Sequence, residues 1–438
     1  MMKILLVGSG GREYAMALKL REGAEAVELF AAPGSDGLAE LGTCLSYGVE
    51  DVEGIAAWAS EHRPDLAILG PEAPLVAGVG NALRALGVPV FGHNAATARL
   101  EGSKAFAKDF MERHAIPCAA SETVTDLAQG EALIHAWPHP YPIVLKADGL
   151  AAGKGVVLAA TREEALETFR NFMAGQFGEA SKTVVFEEPL VGMELSLHVL
   201  VDVKADHAHY ALLPACQDHK RIFEDDLGPN TGGMGVFGPL PFLKAEDVER
   251  MRRELVIPTV QGLQKDGLDA QGVLFLGVMW TPQGPKLLEY NVRFGDPETQ
   301  VLMQLLDEDL AQLLLSVAQG RMERDSVTLK PGCAIAVVLA AEDYPEGAKK
   351  GVPIAIQSPR SLVVHAGTRK QDGQWVTNGG RVLNLVAQAP DLAQARAQVE
   401  ADLDQVTWPG RQVRRDIGLK ALCHAQAGKG VADAWGQA

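Results

Sequence analysis

Three side chains at alternate positions, Glu289, Asn291 and Arg293, set a carboxylate, an amide oxygen and a guanidinium in a row. Hard oxygens of this kind suit Mg²⁺, which is ordinarily held by one or two protein groups and the phosphates of a substrate. Arg grips phosphate or carboxylate through paired hydrogen bonds. Metal oxygens beside such an Arg are what phosphoryl transfer from a nucleotide requires. A second set is Lys146-Ala-Asp-Gly-Leu-Ala-Ala-Gly-Lys-Gly155, a lysine followed by a glycine loop whose backbone can close over phosphates. It is not a Walker A loop, because no helix follows and no Ser or Thr follows Lys154. A third is Gly8-Ser-Gly-Gly-Arg-Glu13, where a glycine turn and a helix start make an anion site and Arg12 adds charge. Glu13 replaces the last glycine of a dinucleotide fingerprint, and no acid follows Val27–Ala32, so a phosphate site is favoured over a nicotinamide site. Taken singly, the Glu-x-Asn-x-Arg pattern reads as the polar face of an edge strand, and the glycine loop as an empty hairpin tip.

These groups need elements to hold them. Leu287–Arg293 alternates and reads as a strand ended by Gly295 and Pro297. Glu289, Asn291 and Arg293 then share one face, with Tyr290 and Val292 on the other. Val273–Trp280 reads as its hairpin partner. Lys3–Val7, Asp65–Leu69 and Val88–Phe91 are short buried strands alternating with helical stretches, which predicts a parallel α/β sheet through about residue 100. Gly8–Gly11 and Gly70–Glu72 should lie on one edge of that sheet, at strand C-termini. Residues 97–113 read as one amphipathic helix carrying Lys104. Tyr141–Lys146 and Val156–Ala159 read as the strands of a hairpin flap, and Thr183–Glu188 and Met193–Leu200 as further strands. Cys216–Gly235 reads as an irregular loop dense in Asp, Lys, Arg and glycine, and long loops in compact domains usually carry function. After Lys330 come strands at Cys333–Ala340, Val363–Gly367 and Arg381–Val386 and a helix striped by Leu392, Ala395, Val399 and Leu403. This is a small α+β unit with no evident chemistry of its own, and Thr377–Gly380 reads as a turn.

A chain of 438 residues suggests about three domains. Net charge of −16 argues against nucleic-acid and acidic-membrane partners, which want a basic face. The five cysteines form no C-x-x-C pair, so free thiols and a reducing, cytoplasmic setting are expected. The apolar run Ile4–Val7 is too short for a signal peptide, and no 18-residue apolar run spans a membrane.

The ordered set resembles the phosphoribosylamine–glycine ligase family of ATP-grasp enzymes. The blocks that carry the resemblance run nearly end to end: Gly8–Glu13, Gly70–Leu75, Leu100–Lys104, Lys146–Gly155, Gln217–Arg221, Gly228–Gly235, Arg293–Thr299, His365–Thr368 and Thr377–Arg381. The resemblance implies a multidomain α/β protein. A Rossmann-like domain would cover 1–103, an ATP-grasp domain 104–328 with a mobile flap at about 121–190, and a small α+β domain 329–438. It implies ligation of glycine to 5-phosphoribosylamine through glycyl phosphate, with ATP and Mg²⁺ or Mn²⁺, by a monomer of purine biosynthesis. By matching motif, Lys104, Lys146, Gly153 and Lys154 would meet ATP phosphates. Glu187, Glu188 and Leu190 would lie at adenine and Glu194 at the ribose. Glu289 and Asn291 would bind the metal, and Arg293, Asp218 and Lys220 would serve catalysis. Gly10, Gly11, Arg12, Asp218, Asn230, Thr231, Gly232 and Gly233 would lie near glycine or the sugar. The chain departs from the family pattern at Tyr14, usually His, at Met193, usually acidic, at Val292, usually Cys, and within Pro33–Gly37. The rival readings are a sister ATP-grasp carboxylate–amine ligase and a non-catalytic nucleotide-binding module. The loop at 217–235 and the N-terminal anion site favour the phosphoribosylamine enzyme over the first. The complete set Lys146, Glu289, Asn291 and Arg293 argues against the second.

Overall fold

A computed structural model describes residues 1–150, 155–178 and 182–431. The first unit is a parallel sheet of β1 (Met2–Gly8), β2 (Val27–Pro33), β3 (Thr43–Cys44), β4 (Leu66–Leu69) and β5 (Val90–Phe91), in the order β3-β2-β1-β4-β5. Ile4, Leu5, Leu6 and Val7 are fully buried, as the central strand of a sheet covered on both faces requires. Helix α1 (Gly11–Arg21) follows β1 directly. The single helix expected at 97–113 is two, Ala95–Gly102 and Lys104–Arg113. Ser103 between them is extended, and its hydroxyl accepts from the Phe106 amide at 3.1 Å as an N-cap. The break sets Lys104 at the first position of the second helix.

The flap is a four-stranded sheet of β6 (Ser121–Val124), β7 (Ile143–Ala147), β8 (Val156–Ala159) and β9 (Val184–Glu187), ordered β6-β9-β7-β8. β7 and β8 pair antiparallel, as the two strands of a hairpin do, and residues 151–154 between them lie outside the described residues. The flap has its own core, built on Phe169, Phe172 and Phe186.

Next come β10 (Met193–Val203), β11 (Ala208–Leu212), β12 (Gln217–Asp218), β13 (Arg221–Phe223), β14 (Leu227–Asn230), β15 (Gly235–Gly238), β16 (Ala270–Thr281) and β17 (Gly284–Asn291). The antiparallel sheet β11-β10-β16-β17 buries Leu195, Leu197, Leu274, Leu276 and Tyr290 in the main core with Phe110. The stretch expected to be an irregular loop therefore holds three short strands and the first residue of a fourth. Two of them, β12 and β15, extend the C-terminal sheet, because β15 pairs with β18 (Cys333–Ala340), which pairs with Arg381–Ala389 and, through it, with Leu362–His365. The pairing is between segments about a hundred residues apart, which local pattern does not report. It draws the last unit against the active face.

Candidate active site

β17 ends at Asn291, two residues before the expected end, and a bulge opposite Gly277 and Val278 adds a residue at Leu288. Arg293 lies just past the strand, yet its guanidinium folds back. Nη2 donates to Asn291 Oδ1 at 2.9 Å and pairs with Glu101 Oε1 at 2.9 Å, and Nε pairs with Glu72 Oε2 at 3.3 Å. Glu101 in turn accepts the Val292 amide at 2.7 Å. Burial opposes charge on Arg293, but Glu101 and Glu72 outweigh it and hold the guanidinium protonated above its ordinary range. Asp296 does not pair with Arg293 and meets Arg381 at 3.6 Å. Glu72 and Glu101 were not anticipated as braces, although both sit inside motif blocks, Gly70–Leu75 and Leu100–Lys104.

Glu289 faces three lysines. Burial pushes its carboxyl up, and Lys220, Lys146 and Lys104 together overcome that and hold it below the usual carboxylate range. Asn291 Nδ2 donates to its Oε1 at 3.5 Å, while Asn291 Oδ1 accepts from Arg293. A carboxylate and an amide oxygen set among lysines and an Arg fit a divalent cation that arrives with phosphates. Among the described residues no three His, Cys, Asp or Glu side chains converge as a complete cage.

The flap meets this site through buried charge. Glu187 lies between Lys146 at 2.9 Å and Lys108 at 3.1 Å. Its carboxylate is thus engaged in ion pairs with two lysines, and Oε1 makes no hydrogen bond. Glu188 accepts from the Ala120 amide at 3.1 Å and from Lys286 at 3.2 Å, tying flap to β17. Leu190 is half-buried on the turn after β9. Lys104 Nζ donates to the Gly149 carbonyl at 2.9 Å. Glu194 pairs with Lys220, and Lys220 is held charged because Glu194 and Glu289 outweigh its burial. Gly153 and Lys154 lie outside the described residues.

Asp218 on β12 is pushed well above the usual range by burial and by Glu298, against Lys220 and Arg381. Gly233 has φ +112°, and a Cβ there would meet Asp218 Oδ1 at 2.7 Å and Pro297 at 2.6 Å, so glycine lets the two walls close. The remaining loop residues mostly support others. Thr231 N and Oγ1 both donate to the Lys220 carbonyl, at 2.7 and 2.8 Å. The Gly232 carbonyl accepts from Arg381 Nη1 at 2.5 Å. Asn230 is exposed on the β13–β14 hairpin, opposite Arg221.

Beside this centre a cleft of about 460 Å³ opens between the N-terminal sheet edge and the C-terminal unit. Gly10 and Gly11 line it, with Ser35, Asp36 and Asp296. Its other wall comes from the unit expected to carry no chemistry: Thr368, Arg369, Asn378 and Arg381. The stretch read as a turn thus supplies Asn378, and the resemblance block Thr377–Arg381 was the available signal. Arg12 is a correction. It is 7% exposed and points inward, Nε to Glu13 at 2.6 Å and Nη1 to the Phe294 carbonyl at 3.0 Å, and does not line the cleft. The cationic side chains that line the cleft are Arg369 and Arg381 instead.

Three family models match the chain: the phosphoribosylglycinamide synthetase N domain over residues 2–101, its ATP-grasp (A) domain over 102–299 and its C domain over 334–420. A phosphoribosylamine–glycine ligase of Agrobacterium fabrum is 44% identical over 429 residues, 97% of this chain and 100% of that protein. The crystal structure of the phosphoribosylamine–glycine ligase of Thermotoga maritima superposes with a TM-score of 0.82 at 33% identity, covering 95% of this chain and 100% of that one. The biotin carboxylase domain of Hydrogenobacter thermophilus 2-oxoglutarate carboxylase, solved with MgADP and bicarbonate, shares the fold with a TM-score of 0.75 at 16% identity, over 98% of this chain and 95% of that one.

Proposed function

The chain belongs to the phosphoribosylglycinamide synthetase family, and from that premise we propose how its residues carry out the family's ATP-dependent ligation of glycine to 5-phosphoribosylamine in purine biosynthesis. The observation that carries the proposal is the junction of two sites. A cation-rich centre built on Lys104, Lys146, Lys220 and Arg293 meets a cleft bearing Arg369 and Arg381, and Asp218 lies within the charge of both Lys220 and Arg381.

In the first half-reaction a glycine carboxylate oxygen attacks the γ-phosphorus of ATP, and ADP departs. Lys104 and Lys146 hold the phosphates, and Glu194 receives the ribose. The base meets the main chain of residues 187–190. Arg293, braced by Glu72, Glu101 and Asn291, follows the charge on the transferring group without reorganising. Glu289 and Asn291 would hold the divalent ion, Mg²⁺ or Mn²⁺, which supplies charge neutralisation to the phosphates. Asp218 receives the glycine ammonium, and an ammonium beside it favours its ionised form. In the second half-reaction the sugar amine attacks the carbonyl of glycyl phosphate. The C–N bond forms, phosphate leaves, and the amine loses a proton. Arg369, Thr368 and Ser35 hold the sugar's phosphate end, and Arg381 with Asp296 the end nearer Asp218.

All five cysteines are unbridged, which supports a reducing, cytoplasmic setting. No described helix is long and apolar enough to cross a membrane. A monomer without nucleic-acid partners completes the reading. ADP release with glycine and phosphoribosylamine, against omission of each, tests it. Release that needs both, with glycinamide ribonucleotide as product, is expected. Full turnover with another acid or amine would contradict it.

A further inference from the structure

In a doubly wound sheet, ligands ordinarily enter the crevice at the C-terminal ends of the strands where the order reverses, with phosphate on the next helix N-terminus. Here those strands are β1 and β4. The crevice is filled from within by Glu13, which is 1% exposed. Its Oε2 accepts the Gly10 amide at 2.7 Å, and its Oε1 accepts Arg12 Nε at 2.6 Å. A Cβ on Gly8 would stand 2.5 Å from Glu13 Cγ, and one on Gly70 would overlap Glu13 Oε1. Both strand ends are therefore glycine where the carboxylate needs the room. A second carboxylate, Asp296, takes the Arg12 amide at 3.3 Å. Two of the first donors of α1 are thus committed to side chains before any ligand arrives.

We infer that Glu13 is a built-in anion that determines where the substrate's phosphate can bind. It occupies the positive end of α1 and neutralises Arg12, so a ligand phosphate is refused at the switch-point crevice. By pinning the Gly10 amide it also sets the turn so that Ser9 and Gly11 face the outer cleft, toward Ser35, Thr368 and Arg369. Glu13 touches no substrate and is a positioning residue. This second role rests on the proposed reading that the cleft takes the sugar phosphate, whereas the exclusion does not.

The test uses the full chain with Glu13→Ala and Glu13→Gln, melting temperatures being recorded for each. Equilibrium dialysis with labelled inorganic phosphate is run with saturating ATP and ribose 5-phosphate and no glycine, so that both phosphate positions of the reaction are covered. The wild type should take up no phosphate, and Glu13→Ala about one per chain at the vacated helix end, displaced by formate. Both variants should raise KM for phosphoribosylamine about tenfold, the scale of one lost charged hydrogen bond, with KM for ATP and glycine changed less than about twofold. Formate should lower the raised KM of Glu13→Ala. Phosphate uptake by the wild type, or none by a folded Glu13→Ala, overturns the exclusion. An unchanged sugar KM in folded Glu13→Gln overturns the positioning role, and this isosteric variant carries the test if Glu13→Ala does not fold. Arg369→Ala separates the two failures: if it leaves the sugar KM unchanged, the cleft reading falls while the extra phosphate in Glu13→Ala still stands.

Discussion

Replacing Arg293 by Lys keeps the charge and removes the fork. One ammonium cannot reach Asn291, Glu101 and Glu72, which the guanidinium meets at 2.9, 2.9 and 3.3 Å from two nitrogens. At least two of these contacts are lost, each worth about 1.5–3 kcal/mol for a charged hydrogen bond, or roughly 3–6 kcal/mol together. That loss divides between fold and transition state. The transition-state share should match removal of one preorganised donor, about 3–4 kcal/mol, which is a fall in kcat of roughly 10²–10³. The remainder, by difference about 0–2 kcal/mol, should lower the melting temperature by no more than about 2 °C. In the proposed reading Lys104 and Lys146 still hold the phosphates, so KM for ATP should change less than about threefold, because ground-state binding is retained. Steady-state ADP release and a thermal melt on the same preparation give all three numbers. Near-normal turnover, or an activity loss that vanishes when assayed well below the melting temperature, would refute the reasoning.

Glu289→Gln should leave the fold intact and shift the Mg²⁺ activation curve to higher concentration, and unchanged activity at low Mg²⁺ would make Glu289 a bystander. Lys108→Met strips one partner from buried Glu187 and should destabilise by about 3 kcal/mol, read by denaturant unfolding, with Lys146 left to hold ATP. A stable variant would show that Lys146 alone satisfies that carboxylate. Burial depresses His93, His219 and His365 to about 4 and His198 to about 3, below an ordinary imidazole at 6.5. The unfolded chain then binds these protons first, so stability is full above pH 6.5 and falls toward pH 4, by up to about 1.4 kcal/mol per unit for each His. Melting temperatures that stay flat from pH 7 to 5 would contradict this.

The sequence pattern reported what is local. Ile4–Val7 reads as a buried strand because its run is apolar throughout, and Lys146 precedes a hairpin because Val156–Ala159 returns with no helix signal. Glu289 and Asn291 share a face by simple alternation. Arg293 joins them for a different reason than alternation, since it lies past the strand and is drawn back by Glu72 and Glu101, from helices more than 190 residues away. The split at Ser103 was hidden because apolar spacing continues across it, and only the hydroxyl's capping bond reveals the break. Arg12 looked like a free cation, but its neighbour Glu13 was the nearer anion. Arg369 and Arg381 reach the cleft through long-range contacts, the pairing of β15 with β18 and the bond from the Lys370 amide to Asp36, which no window of sequence contains.

The most direct test of the central claim follows oxygen. Glycine labelled with ¹⁸O in its carboxylate is turned over with ATP and phosphoribosylamine, and the released phosphate is examined by mass spectrometry. Attack of the carboxylate on the γ-phosphorus, followed by amine displacement, predicts one labelled oxygen in each phosphate and one retained in the amide. Phosphate without label, released with glycinamide ribonucleotide, would contradict an acyl phosphate route and the roles assigned to Arg293 and Asp218.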